Sequence, residues 1–156
     1  MPAMVRGQRP PAGASTAEEL QMFAAHHAPW LYTVMRMVFG VMFVTYGLRK
    51  LGLLDQPVVP LLSLMGAAAV IETVAGTLIA IGFITRPAAL VASGEMAVAY
   101  FYSHQARALL PVQNDGVPAV LFCFAFLYIA ARGPGLFSVE TLNARGVSQK
   151  AAGSQG

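Results

Sequence analysis

Charged residues are scarce in this chain of 156 residues. Asp, Glu, Lys and Arg together account for 11% of the sequence, and hydrophobic residues account for 56%. An ordinary soluble domain carries about 25% charged residues. The composition therefore excludes a typical soluble domain and indicates a small integral membrane protein. The ten Lys and Arg residues are scattered along the chain, so nothing in the sequence predicts a nucleic-acid partner.

Cysteine and histidine are also rare, which excludes several kinds of site. Cys123 is the only cysteine, so an intrachain disulfide, a CxxC redox pair and a cysteine metal site are excluded. His26 and His27 are neighbours in sequence and would point about 100° apart on a helix, which makes a poor metal clamp. The motifs GxGxxG, HExxH and GxSxG are missing as well. We therefore expect no metal site, and no cofactor is evident.

Long apolar runs, by contrast, dominate the sequence. A helix needs about 20 residues to cross the roughly 30 Å hydrocarbon core of a bilayer. Three of the runs are about this long, and local thinning of the bilayer can accommodate the shorter fourth run. We therefore predict an all-α fold, an integral membrane four-helix bundle. The predicted spans cover about residues 30–48, 60–83, 87–105 and 117–131.

The polar ends divide the chain into three parts. Residues 1–28 form a polar lead, in which the sequence from Ser15 onwards favours a short helix on the membrane surface. Residues 29–136 form the membrane domain, and residues 137–156 form a polar tail.

The cations near the span ends predict the orientation. With four spans, six cations lie on the side of both termini and three lie on the opposite side. Cytoplasmic loops carry the excess of Lys and Arg, so we expect a multi-pass protein of the bacterial inner membrane with both termini in the cytoplasm. The six are Arg6, Arg9, Arg86, Arg132, Arg145 and Lys150; the three are Arg49, Lys50 and Arg107.

Three ionisable residues interrupt the predicted spans, each in a different one: Arg36, Glu72 and Glu95. A charge at the centre of a bilayer costs roughly 2.5 to 3.5 kcal/mol, so these side chains should face protein or water. Small residues share their helix faces, as Gly76 does with Glu72, and allow another helix to approach closely. We therefore predict a buried polar cluster of these three residues.

The predicted cluster has two interpretations. Arg36 and one glutamate could form a buried ion pair that fixes the register of the helices. Alternatively, the three groups could surround a cavity that binds a polar or redox ligand or carries protons. Tyr102 flanks Glu95 on its helix face, and His104 follows near the end of the same span. His104 could hydrogen-bond a quinone or another substrate at the membrane edge, or simply lie among the headgroups.

Several short motifs occur in an order that is similar to a known family. The chain resembles the DoxX family of small four-helix membrane proteins, and the resemblance covers about residues 34–140. The motifs are RMVFG from Arg36, GLRKL from Gly47, IETVAGTLIAIGFITRPAAL from Ile71, AYFYSH ending at His104, PVQNDG from Pro111 and GPGLFSVE from Gly133.

The resemblance adds two residues, Lys50 and Asn114, to the candidate ligand contacts Tyr102 and His104. It also exposes a difference at the start of the fourth span. The family commonly has a glutamate there, whereas this chain has Val117. Either Asp115 supplies the carboxylate from two residues earlier, or the carboxylate is dispensable.

Three functions are open at this point. The first is a membrane scaffold or a subunit of a larger complex. The second follows from the family's association with thiosulfate:quinone oxidoreductase and oxidative-stress complexes, and is a quinone-linked redox subunit. The third is a small permease, which would need a homo-oligomer because four helices are few for a transporter. The expected partners are the lipid bilayer and either other membrane or redox proteins or further copies of the chain, and the sequence does not decide whether the protein is an enzyme.

Overall fold

A computed structural model describes residues 16–144 of the protein. The first 15 residues of the predicted polar lead, residues 145–156 of the predicted tail, and the cations Arg6, Arg9, Arg145 and Lys150 lie outside this range. The described part is all-helical and contains no strand. Its helices are α1 (Thr16–Lys50), α2 (Leu64–Ile81), α3 (Thr85–Ala99) and α4 (Val117–Arg132), and a π-helical segment (Tyr100–His104) continues α3.

Helix α1 is longer than the sequence predicts. The expected surface helix and the first span form one continuous helix of 35 residues that runs through Pro29, about 52 Å at 1.5 Å per residue. The proline does not end the helix, and its carbonyl accepts a hydrogen bond of 2.9 Å from the Thr33 hydroxyl. By length and composition, α1 and α2 are each able to cross a membrane, whereas α4 is apolar but shorter.

Small residues bring α1 and α2 together in antiparallel fashion, as the glycine-bearing faces predict. A Cβ atom added to Gly40 would lie 2.7 Å from the Ala80 nitrogen and 2.9 Å from the Gly76 oxygen. Near the other end of the pair, a Cβ on Gly47 would lie 2.8 Å from the Ala69 oxygen. The two backbones are therefore in direct contact, and no side chain fits between them.

This contact predicts a difference between two glycine-to-alanine substitutions. Gly40→Ala should lower the free energy of unfolding by about 1 to 3 kcal/mol, because the new methyl group meets backbone atoms that cannot rotate away. Gly94→Ala is the matched control, since an added Cβ there meets no atom within 4 Å. Unfolding in mixed micelles by titration with a denaturing detergent, followed by circular dichroism, measures both. Equal stability of the two variants would contradict the close contact.

An aromatic core joins α1 to α4. Phe43 of α1 packs against Phe122 and Phe126 of α4, with ring centroids 5.7 and 4.7 Å apart. Helices α3 and α4 are also antiparallel: Arg86 at the start of α3 donates to the Ala130 carbonyl near the end of α4, and the Ser93 hydroxyl donates to the Cys123 carbonyl halfway along the pair. The two ends of the bundle differ in the segments that they contain. One end holds the last turn of α1 and the π-helical segment, and we call it the cavity end after the cavity described below. The other end holds Arg36 and the chain after α4, and we call it the arginine end.

Candidate functional site

A cavity of about 870 Å³ opens at the cavity end. All four helices, the π-helical segment and the loop before α4 contribute to its wall, which is mainly apolar. Ligand pockets in proteins measure about 300 to 1,000 Å³ and combine apolar walls with a few polar groups. The polar residues of this wall are Tyr46, Lys50, Ser63, Glu72, Glu95, Tyr102, Ser103, His104 and Asp115.

An ion pair between α1 and α2 lies in the cavity wall. The Lys50 ammonium donates to Glu72 Oε1 at 2.7 Å. Lys50 is the last residue of α1, and Glu72 lies in the middle of α2. The close approach at Gly47 brings this part of α2 within reach of the lysine. The Glu72 side chain is only 2% exposed, so it faces the protein, as the sequence predicts.

Two carboxylate oxygens in the cavity have no hydrogen-bond donor among residues 16–144. They are Oε2 of Glu72 and Oε2 of Glu95, and both atoms are buried. A buried polar atom without a hydrogen-bond partner destabilises the folded state, so its presence in a native protein requires an explanation. One such explanation is a ligand that supplies the missing donors.

His104 ends the π-helical segment, and a contact with a backbone carbonyl decides which of its ring nitrogens carries the hydrogen. Its ring Nδ1 lies 2.9 Å from the Asn114 carbonyl oxygen. A carbonyl oxygen can only accept, so Nδ1 carries the hydrogen, and in the neutral ring Nε2 is then an acceptor. His104 belongs to the cavity wall. In its neutral form this lining residue therefore has a hydrogen-bond acceptor, Nε2, in addition to the donor that Asn114 uses.

Asn114 has a different role from the one that the sequence suggests. Its side chain is buried, donates to the Ala108 carbonyl at 2.8 Å and accepts from the Gly116 nitrogen at 2.9 Å. Asn114 is not part of the cavity wall, whereas its neighbour Asp115 is. The asparagine therefore shapes the loop that carries His104's partner carbonyl, and Asp115 brings a carboxylate to the cavity.

Arg36 lies outside this cavity wall, so the structure brings together Glu72 and Glu95 of the predicted cluster but not Arg36. Its guanidinium is fully buried at the arginine end. It donates to the carbonyls of Ile79 and, at 2.9 Å, Ala80 in the last turn of α2. The antiparallel register explains the difference: Glu72 lies seven residues before Ile79, about 10 Å along the helix.

The arginine end contains further contacts that the sequence analysis missed. Arg86 donates to the carbonyls of Ala130 and Ala131 in the last turn of α4, at 3.0 and 2.6 Å. Glu140 accepts from the Thr85 nitrogen at 2.7 Å and so caps the start of α3. These partners are 44 to 55 residues apart in sequence, and no local pattern connects them.

Comparisons with known proteins give one family and one relative. The DoxX family model matches residues 31–105, from α1 through the π-helical segment. A protein of Haemophilus influenzae, described as uncharacterized, is 32% identical over 127 residues, which cover 73% of this chain and 91% of the relative. No solved structure matches the chain.

Proposed function

The chain belongs to the DoxX family, and we propose that it is an integral membrane protein that binds a small amphipathic ligand in its cavity. The observation that carries this proposal is the pair of buried carboxylate oxygens without donors in a cavity of about 870 Å³. A device that only fixed helix register would pair its charges and fill the space around them.

The distribution of polarity supports a position in the membrane. Large apolar side chains lie exposed on the outer faces of the helices, among them Val41, Val74 and Phe124, while the Lys50–Glu72 ion pair lies inside. We propose that all four helices cross the bilayer. Helix α3 and the π-helical segment together provide 20 residues, Thr85–His104, which is about the length required.

The excess of cations on the side of the termini favours the bacterial inner membrane with both termini in the cytoplasm. In this orientation the arginine end faces the cytoplasm. The cavity lies at the other end, beside the loops that precede α2 and α4. A ligand would therefore enter from the outer leaflet or from the periplasmic side.

A scaffold role fits the arginine end better than the cavity end. There, hydrogen bonds of Arg36 and Glu140 join α1, α2, α3 and the chain after α4, although Arg36 Nε has no acceptor among residues 16–144. A quinone fits the cavity by size, and a redox partner or a second copy could be bound on the outside. However, the oxygens of a quinone are acceptors, and so are the two buried oxygens of the cavity that lack donors. The reduced quinol, which has hydroxyl donors, would match the wall better than the quinone.

Filling the cavity tests the proposal. Ala68 is half-buried in the cavity wall, so Ala68→Phe should occupy ligand space and weaken binding at least roughly tenfold, which corresponds to about 1.4 kcal/mol. The probe is naphthalen-1-ylmethanol, and its fluorescence is titrated against the protein in phosphatidylcholine nanodiscs. Val70→Phe is the control, since Val70 is exposed on the same helix and lies outside the wall.

The wild type and Val70→Phe should bind the probe alike, and empty nanodiscs provide the background. Binding that is unchanged in Ala68→Phe would contradict a ligand site in this cavity. Absence of binding above the nanodisc background in the wild type would contradict it too.

A further inference from the structure

The charges of the cavity wall are unequal. Three carboxylates, those of Glu72, Glu95 and Asp115, line the cavity, and Lys50 is the one ammonium group among the described lining residues. Lys50 bonds to a single oxygen of Glu72. The remaining titratable groups of the wall are Tyr46, Tyr102 and His104, and none of them carries a fixed positive charge. The cavity therefore has a surplus of negative charge when its carboxylates are ionised.

The buried polar atoms of the wall that lack a partner among the described residues are both acceptors. The Glu72 side chain is only 2% exposed, and its Oε2 has no hydrogen-bond donor within residues 16–144. Oε2 of Glu95 is in the same situation. His104 adds Nε2, because its other ring nitrogen bonds to the Asn114 carbonyl. A ligand that satisfies this wall must bring hydrogen-bond donors.

The walls indicate an organic ligand and not a bare ion. Among the described residues, no group of three or more His, Cys, Asp or Glu side chains is arranged to hold a metal ion. Instead, the aromatic residues Phe43, Tyr46, Tyr102 and Phe122 line the same cavity. Aromatic faces attract organic cations and pack against apolar ligand bodies.

From the donor-free carboxylate oxygens and the aromatic wall, we propose that the ligand is a lipophilic amine, whose ammonium group binds the carboxylates of Glu72 and Glu95 while its apolar body fills the cavity. This inference rests on the proposed ligand-binding function and names the class of ligand. The ammonium donates to both free Oε2 atoms and balances the second carboxylate, as Lys50 balances the first. Its hydrogen bonds are charge-assisted, so they are stronger than those of a neutral hydroxyl.

Two probes of the same shape test the charge requirement. Naphthalen-1-ylmethylamine is an ammonium ion near neutral pH, and naphthalen-1-ylmethanol is its neutral counterpart. Both are titrated against the full-length protein in nanodiscs of phosphatidylcholine, which carry no net charge, and partition into empty nanodiscs is subtracted. We expect the amine to bind roughly tenfold more tightly than the alcohol, the ratio that one charge-assisted hydrogen bond provides.

Variants of single carboxylates test which residue causes the preference for the amine over the alcohol. Glu95→Gln should reduce the ratio of the two affinities to about one, because the amide supplies its own donor and removes the charge. Asp55→Asn is the matched control: it removes a carboxylate from the loop between α1 and α2, outside the cavity wall, and should keep the tenfold ratio. Circular dichroism and size-exclusion elution verify that both variants are folded, and Glu95→Asp, which keeps the charge, should retain a preference for the amine.

The outcomes separate the two proposals. If both probes bind equally well to the wild type and Ala68→Phe weakens both, the ligand site stands and the cationic ligand is refuted. If the amine is preferred but Glu95→Gln and Asp55→Asn lower the ratio equally, the assignment to the cavity carboxylates is overturned. If neither probe binds, the proposed function itself fails.

Discussion

Replacing Arg36 by methionine should lower the free energy of unfolding by about 4 kcal/mol. The guanidinium is fully buried and donates to three backbone carbonyls, those of Ile79, Ala80 and Phe137. Hydrogen bonds from charged donors contribute about 1.5 to 3 kcal/mol each, and methionine leaves the three oxygens without these donors. Part of the loss is offset because the buried charge disappears as well.

Arg36→Met should also expose the chain after α4, since Arg36 joins Phe137 to the end of α2. Limited proteolysis should then cleave within residues 133–144 faster than in the wild type. Arg49→Met is the control, because Arg49 is an exposed cation of the same helix and surface substitutions change stability by only about 0.5 kcal/mol. If Arg36→Met and Arg49→Met unfold at the same detergent fraction, the role of Arg36 in joining these segments is wrong.

The second large effect is expected at the ion pair of the cavity. Lys50→Met should destabilise the protein by about 3 kcal/mol, because it leaves the Glu72 carboxylate buried without its partner. We expect the lower end of the usual range, since the Lys50 side chain is 24% exposed and water screens it in part.

The double variant Lys50→Met with Glu72→Gln provides the decisive comparison. Removing both charges should restore most of the stability that Lys50→Met loses, because no unpaired carboxylate remains. The same detergent titration measures the wild type, the two single variants and the double variant. If the effects of the single variants simply add in the double variant, the two side chains are not coupled and the ion pair contributes nothing to stability.

The sequence predicted which face of a helix each polar residue occupies better than it predicted which residues of a neighbouring helix lie at the same level. Small residues beside Glu72 indicated a helix face that packs against protein, and Glu72 is indeed buried. The start of α4 at Val117 was also predicted. A helical wheel gives the direction of a side chain, but the level at which it meets its neighbour depends on how two helices slide along each other.

The register of α1 against α2 explains why Arg36 does not meet Glu72. Contacts of Gly40 and Gly47 fix the register of α1 against α2, and this register places Lys50, not Arg36, at the level of Glu72. The capping of α3 by Glu140 could not be predicted for a related reason, because its partner Thr85 lies 55 residues earlier. The continuity of α1 through Pro29 shows in turn that a proline, which usually ends or kinks a helix, does not fix the boundary of this one.

The placement of Glu140 and Phe137 constrains the order of folding during synthesis. Both residues lie after α4, yet they complete contacts of α3 and α1. While the ribosome is still making α4, the start of α3 lacks its acidic cap and Arg36 lacks one of its acceptors. The helices can therefore form one after another, but the arginine end can be completed only when the chain has emerged beyond residue 140. Truncation before that point would leave the helices without the segment that joins them at this end.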